Sequence, residues 1–118
     1  MHTECTRGRF RCALKPGTEL LLDAVRFTDI VADADLVITG EGSADRQTLM
    51  GKLPAGILRH AGRVPVYLIA GRVTDEALLL HAGFSRVACI NPPGLSPDDA
   101  MRREVAIRNI GETVRRLL

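Results

Sequence analysis

The stretch Thr39-Gly40-Glu41-Gly42-Ser43-Ala44-Asp45-Arg46-Gln47-Thr48-Leu49-Met50-Gly51-Lys52 decides how this sequence is interpreted. It follows the short apolar run Leu36-Val37-Ile38, which predicts a buried strand, and it precedes a helical pattern. In an open α/β sheet, ligands bind at the loops that leave the carboxyl ends of parallel strands. This loop is rich in glycine, carboxylates and hydroxyls, and we therefore expect it to form the functional site.

Length and composition limit the classes of function. The 118 residues are enough for one domain with a modest core, but few for a complete metabolic enzyme. Hydrophobic residues at 46% and charged residues at 25% are typical of a globular protein in water. Aromatic residues, at 3%, are too few for a platform that stacks bases or sugars. The net charge of +2 is too small to indicate a nucleic-acid or membrane partner.

The cysteines and the apolar runs favour a cytoplasmic protein. Cys5, Cys12 and Cys89 are odd in number and lack CxxC spacing, which argues against a disulfide framework and a zinc site. Cys89 lies in an apolar strand pattern, so we expect its thiol to be buried. No apolar run approaches the ~18 residues of a membrane span. The first residues lack the apolar segment of a signal peptide.

Strand and helix patterns alternate along the chain. Strands are predicted at Leu36–Thr39, Val66–Ala70 and Arg86–Ile90, with helices before, between and after them. The predicted fold class is α/β, with a parallel three-stranded sheet and helical crossovers. Such a small apolar sheet leaves edges and faces exposed, which suggests part of a larger sheet and a possible homo-oligomer. Residues 1–13 show little periodicity and are predicted to be a poorly ordered lead-in.

Capping residues predict where the helices begin and end. His60-Ala61-Gly62 and His81-Ala82-Gly83 are typical of helix C-termini, where glycine caps the helix and histidine meets the helix dipole. Both histidines are therefore expected to be structural, because these ends lie opposite the ligand-binding edge. Thr74 is expected to cap the next helix, and Ser96 with Pro97 to begin one long C-terminal helix.

Two standard nucleotide-binding motifs fail in the central stretch. A Walker A loop fails because Gly51-Lys52 is followed by Leu53. The dinucleotide fingerprint fails because Asp45 stands where the third glycine belongs. A binding site here must therefore use another arrangement.

The residues of this stretch nevertheless suit an anionic ligand rich in oxygen. Gly40 and Gly42 allow close approach of the backbone. Gln47 and Thr48 can donate hydrogen bonds, and Lys52 can place a charge near a phosphate or carboxylate.

The two acidic residues have a functional and a structural interpretation. Glu41 and Asp45 can hold a magnesium ion or accept a proton from a substrate hydroxyl. Alternatively, Asp45 caps a turn, Glu41 is solvated and Lys52 is a surface residue. The spacing alone favours neither interpretation.

The central motif resembles a known family. The segment Ala34–Gly42, followed by Asp45, Gln47-Thr48 and Gly51–Pro54, closely resembles the signature of the bacterial glycerate kinase family. The flanks also resemble this family, in Leu14–Leu20, in Val64–Gly71, and in Asn109-Ile110 and Val114–Leu118 of the last helix. The resemblance covers about residues 14–118.

The resemblance implies ATP-dependent phosphorylation of D-glycerate to a phosphoglycerate, with magnesium. Family members are much longer and have two α/β domains, one of them flavodoxin-like. Residues 14–118 would be the C-terminal part of that flavodoxin-like domain. We expect this segment to be inactive alone, because phosphoryl transfer needs groups around both substrates. The alternative is a non-catalytic module that binds a small anion or self-associates.

The resemblance also implies roles for individual residues. Asp45 and Glu41 would act at the glycerate hydroxyl or the metal, and Lys52 would neutralise the transferred phosphate. Further residues of the motif would bind substrate, namely Gly40, Gly42, Gln47, Thr48 and Gly51. Ser43 stands where family members usually have a basic residue, which weakens an anion clamp at this position.

Overall fold

The computed structural model describes residues 3–7, 10–14 and 17–118, the first two ranges as backbone only. Strands β1 (Thr3–Arg7) and β2 (Phe10–Leu14) pair antiparallel. The sequence did not indicate these strands, because the segment shows little apolar periodicity. Its predicted poor order is a separate property, which stays a prediction.

From residue 17 onward, helices and strands follow one another in the predicted order. The helices are α1 (Gly17–Ala24), α2 (Phe27–Val31), α3 (Leu53–His60), α4 (Glu76–Ala82), α5 (Pro97–Ala100) and α6 (Arg103–Leu117), with a 3-10 helix at Arg46–Leu49. The strands are β3 (Val37–Ala44), β4 (Val66–Val73) and β5 (Arg86–Cys89). They form a parallel sheet in the order β3-β4-β5, which confirms the predicted class. Within the described ranges, no helix is long and apolar enough to cross a membrane.

Strand β3 extends beyond its apolar run. Glu41 pairs with Ala70, and Ser43 pairs with Arg72 of β4. The first part of the polar stretch is therefore strand, whereas the sequence predicted a loop. Glycine and glutamate have low strand propensity, so the sequence could not indicate this extension, which depends on backbone pairing with β4.

The core surrounds the central strand β4. Val66, Leu68 and Ala70 are at most 2% exposed and point to the same face of the sheet. Leu79 of α4 and Phe84 belong to the same buried cluster. The continuous apolar run of β4 thus predicted a buried strand correctly.

Strand β3 is less well covered than predicted. Its Ile38 is 36% exposed, although the apolar run suggested burial on both faces. Nearby, Gly40, Ile69 of β4 and Ile110 of α6 line a cavity of about 220 Å³. Helix α6 therefore covers this region incompletely, as expected for such a small sheet.

Several predicted helix ends are confirmed. Helix α3 ends at His60, and Gly62 beyond it has a φ of +63°. Helix α4 ends at Ala82, and Gly83 has a φ of +129°. The side chain of Ser96 accepts a hydrogen bond at the start of α5. Glycine was therefore a reliable marker of helix ends, because it adopts positive φ without a steric penalty.

Two predicted helix boundaries are wrong. The residue before α4 is Asp75, in a left-handed conformation, and Thr74 does not cap the helix. The predicted single C-terminal helix is divided into α5 and α6 by an extended residue, Arg102. The apolar spacing continues across this break, from Met101 to Val105, so the pattern did not reveal it.

Helices α1 and α3 are in close contact. A Cβ atom on Gly56 would lie 2.3 Å from Cγ2 of Thr18. Glu19 forms an ion pair with Arg59, and its Oε2 lies within hydrogen-bond distance of Nε2 of His60, at 2.8 Å. His60 therefore links α3 to α1, whereas the sequence predicted a structural role through the dipole of its own helix.

We expect Gly56→Ala to lower the free energy of unfolding by about 1–3 kcal/mol, because the added methyl group overpacks the contact with Thr18 and with Leu22, 3.1 Å away. In Gly111→Ala, the matched control, the added Cβ meets nothing closer than 4.0 Å. This control should gain about 0.5–1 kcal/mol from helix propensity. Urea unfolding followed by circular dichroism measures both effects. A stabilised Gly56→Ala variant would contradict the close packing of the two helices.

Candidate functional site

The hydroxyl group of Thr48 joins strand β3 to the 3-10 helix. Thr48 is 0% exposed. Its Oγ1 donates to Oε2 of Glu41 at 2.7 Å and accepts from the backbone amide of Asp45 at 3.1 Å. Oδ1 of Asp45 in turn accepts from the amide of Gln47 at 2.8 Å. Asp45 and Thr48 thus form a capping box that fixes the turn after β3, and the bond from Thr48 to Glu41 ties this turn to the strand.

Glu41 and Lys52 form an ion pair beside this turn. Nζ of Lys52 lies 3.3 Å from Oε1 of Glu41, whose side chain is 15% exposed. The side chain of Lys52 is 46% exposed, so its ammonium group is accessible to solvent although its partner Glu41 is largely buried. The structural interpretation of the sequence took Glu41 to be solvated, and the structure does not agree with this. The same interpretation took Asp45 to cap a turn, and Asp45 does so.

The carboxyl ends of the parallel strands open onto a cleft of about 660 Å³. Strand β3 contributes Glu41 and Gly42, and β4 contributes Gly71, Arg72 and Val73. The rest of the wall comes from β5 and the segment between β5 and α6. This is the edge at which open α/β sheets bind ligands, and the volume is sufficient for a small molecule.

Four predicted site residues form one bonded cluster at this edge, namely Glu41, Asp45, Thr48 and Lys52. Gly42 lies next to the cluster and lines the cleft. Of the predicted catalytic residues, Glu41 lines the cleft itself, whereas Lys52 reaches it through its ion pair with Glu41 and Asp45 through the hydroxyl of Thr48.

The remaining predicted residues lie around this cluster. Gly40 lines the neighbouring cavity of about 220 Å³. Gln47 uses its backbone amide in the turn, and the residue is exposed. Gly51 has a φ of +84°, and its carbonyl oxygen accepts a hydrogen bond from Oγ1 of Thr18 at 3.0 Å. Helix α1 therefore supports the backbone directly before Lys52.

Two asparagines near the cleft were not predicted from the sequence. Nδ2 of Asn91 donates to the carbonyl oxygen of Gly71 at 2.8 Å, and its Oδ1 accepts from Nδ2 of Asn109 at 3.2 Å. Asn91 follows β5 at the carboxyl edge of the sheet, and this position was the signal that could have identified it. Asn109 lies on α6 with no comparable local signal.

The thiol of Cys89 was predicted to be buried, and this prediction is wrong. Cys89 is exposed at the end of β5 and lines the cleft. Its Sγ lies 3.4 Å from the carbonyl oxygens of Gly71 and Asn91. Its apolar neighbours in the sequence do not cover it, because β5 is a short edge strand of the described sheet that ends at the cleft.

The described residues do not provide a metal site made of protein ligands alone. Among residues 17–118 no group of three or more His, Cys, Asp or Glu side chains could hold a metal ion. Both carboxylate oxygens of Glu41 are already engaged, by Thr48 and Lys52.

Comparison with known proteins identifies the family. The model of the glycerate kinase family matches residues 7–118. The chain belongs to the glycerate kinase family. The resemblance found in the central motif is thereby confirmed, and the match extends upstream of residue 14.

Curated relatives of this glycerate kinase family member are considerably longer. A glycerate kinase of Halalkalibacterium halodurans is 43% identical over 106 residues, covering 82% of this chain and 28% of the relative. A glycerate kinase of Bacillus subtilis is 43% identical over 90 residues, covering 74% and 24%. A glycerate 2-kinase of Escherichia coli is 40% identical over 70 residues, covering 58% and 18%. The chain thus spans 28% or less of each of these relatives.

We expect Thr48→Val to lower the free energy of unfolding by about 1–3 kcal/mol, because it leaves buried polar partners without their hydrogen bonds. Thr48→Ser retains the hydroxyl and should recover part of this loss. Thr74→Val, at an exposed position, is the matched control and should be nearly neutral. Chemical denaturation measures all three variants. A Thr48→Val variant as stable as the control would show that the hydroxyl does not hold the turn.

Proposed function

We propose that this chain forms one wall of an active site in which ATP phosphorylates D-glycerate to a phosphoglycerate. The observation that carries the proposal is the cluster of Glu41, Thr48 and Lys52 beside the cleft at the strand ends. The printed names of the relatives, glycerate kinase and glycerate 2-kinase, supply the reaction.

Lys52 is proposed to neutralise the phosphate as it is transferred. Its ammonium group is partly exposed, which leaves it accessible to a ligand, and Glu41 restricts its position. Because Nζ of Lys52 lies 3.3 Å from Oε1 of Glu41, we assign Glu41 to holding Lys52 in place. A positioned charge of this kind stabilises charge in a transition state.

Asp45 is proposed to accept the proton of the glycerate hydroxyl. Its carboxylate is partly buried and is oriented by the amide of Gln47. A carboxylate oxygen that accepts one hydrogen bond retains capacity for a second. Asp45 can therefore keep its capping role while it contacts a substrate hydroxyl.

The substrate-binding roles are divided between backbone and side chains. Gly40 and Gly42 would allow the backbone to approach the ligand, and Gly51 would allow the turn before Lys52. The exposed Gln47 would donate to the glycerate carboxylate. The hydroxyl of Thr48 already has a donor and an acceptor, so it would act by holding the cluster in place.

ATP and magnesium are proposed as the co-substrate and cofactor of the family reaction. Magnesium would neutralise charge on the nucleotide phosphates when bound. We also propose a cytoplasmic protein in which residues 14–118 form the C-terminal part of a flavodoxin-like domain of a two-domain kinase. Two observations support this arrangement. The three parallel strands lie side by side in the order in which they follow along the chain, and one face of the sheet is incompletely covered.

A chimeric kinase tests the assignment of Lys52 and Asp45. Residues 14–118 would replace the matching segment of the Bacillus subtilis relative, and turnover of ATP with D-glycerate would be measured. We expect Lys52→Met and Asp45→Asn to lower kcat by about 100-fold or more, because each removes a group that acts in the transition state. Arg63→Met is the control, since it removes an exposed cation outside the cluster. Normal turnover in either site variant would remove that residue from catalysis.

The chain alone is expected to lack ATP turnover with D-glycerate, because one wall of a cleft does not position both substrates. The turnover assay used for the chimera, applied to the isolated 118-residue chain, tests this expectation. Turnover comparable to that of the chimera would contradict the proposal that other segments complete the site.

The alternative function, a self-associating module, is favoured by one observation. Four apolar side chains on α1 and around α2 are largely exposed, namely Leu20 at 61%, Leu21 at 51%, Val25 at 48% and Ile30 at 63%. Burial of such a surface stabilises association. We expect light scattering to give a mass above that of the monomer, and Leu21→Glu to reduce it. A monomer at high concentration would contradict self-association.

A further inference from the structure

A series of hydrogen bonds connects helix α6 to the cleft. Asn109 is 5% exposed, and its Nδ2 donates to Oδ1 of Asn91 at 3.2 Å. Nδ2 of Asn91 donates to the carbonyl oxygen of Gly71 at 2.8 Å. An amide side chain has a donor and an acceptor, so Asn91 bonds to α6 through one atom and to β4 through the other.

This series ends at a close contact between two glycines. A Cβ atom on Gly71 would lie 3.0 Å from the carbonyl oxygen of Gly42 and 3.4 Å from Nδ2 of Asn91. Both glycines line the cleft of about 660 Å³. Gly42 belongs to the motif expected to bind substrate. The position of Gly71 therefore affects a wall of the cleft.

Asn91 also separates two cavities. It lines the cleft, and together with Asn109 and Thr113 it lines a second cavity of about 870 Å³ between the end of β5 and α6. A shift of its side chain would change both cavities. Burial of a polar amide is costly unless its hydrogen bonds are made, so Asn109 and Asn91 restrain each other's positions.

We propose that Asn109 is a positioning residue that acts through Asn91 to hold Gly71 against Gly42 and thereby sets the shape of the substrate cleft. The identity of the ligand as D-glycerate rests on the proposed function. The hydrogen-bonded coupling from α6 to Gly71 and Gly42 is independent of the proposed function.

The first test uses nuclear magnetic resonance on the 118-residue chain. Asn109→Leu retains a similar volume and removes the amide donor. We expect the amide signals of Gly42 and Gly71 to shift, although neither glycine is bonded to residue 109. Arg108→Leu, at an exposed position on the same helix, is the control and should leave both signals unchanged. Unchanged glycine signals in Asn109→Leu would overturn the proposal.

Asn109→Asp separates a hydrogen-bonding role from simple packing. A protonated carboxyl group can donate to Oδ1 of Asn91, as the amide does, whereas an ionised carboxylate cannot. The wild type is measured over the same pH range as the control, because Glu41 beside Gly42 and Glu112 near Asn109 carry carboxyl groups of their own. The glycine signals of the variant should coincide with those of the wild type at low pH and should diverge from them as the carboxyl group at position 109 ionises. Signals that do not follow this ionisation would overturn the proposal. This variant also decides the case if Asn109→Leu fails to fold.

The chimeric kinase tests the effect on the cleft. We expect Asn109→Leu to raise the KM for D-glycerate about tenfold, with a smaller change in kcat, because the cleft loses its shape while Lys52 and Asp45 remain. Arg108→Leu should leave KM unchanged. A KM unchanged by Asn109→Leu would overturn the role in the cleft. An inactive chimera without any substitution would instead count against the proposed function, while the glycine signals would still decide the coupling.

Discussion

The buried hydroxyl of Thr48 is the contact on which the geometry of the site depends. It donates to Glu41 and accepts from the backbone amide of Asp45, so one side chain fixes a carboxylate and the start of the 3-10 helix. Only a group that both donates and accepts can do this. Because Glu41 also pairs with Lys52, the position of an exposed charge depends on a hydrogen bond inside the protein.

The sheet was largely predictable because its central strand has a strong local signal. The apolar run Val66–Ala70 is longer than a turn and too short for a helix, and it forms most of β4. The glycines after α3 and α4 marked helix ends for an equally local reason. The extension of β3 through Gly40 and Gly42 was not predictable, because it arises from pairing with another strand rather than from its own residues.

The residues of the candidate site also fall into a predictable and an unpredictable group. Glu41, Asp45, Thr48 and Lys52 are close in the sequence, so one motif was enough to suggest that they act together. Asn91 and Asn109 become neighbours of Gly71 only when β5 lies beside β4 and α6 packs near its end. Exposure of Cys89 likewise depends on its place at the end of an edge strand. Contacts between distant segments were therefore the part that the sequence did not reveal.

The exposure of Lys52 explains why a well-formed cluster need not be an active site. At 46% exposure its charge is screened by water, and its attraction for a phosphate is weak. A segment that covered the cleft would exclude water and strengthen the same interaction, because the local dielectric constant would fall.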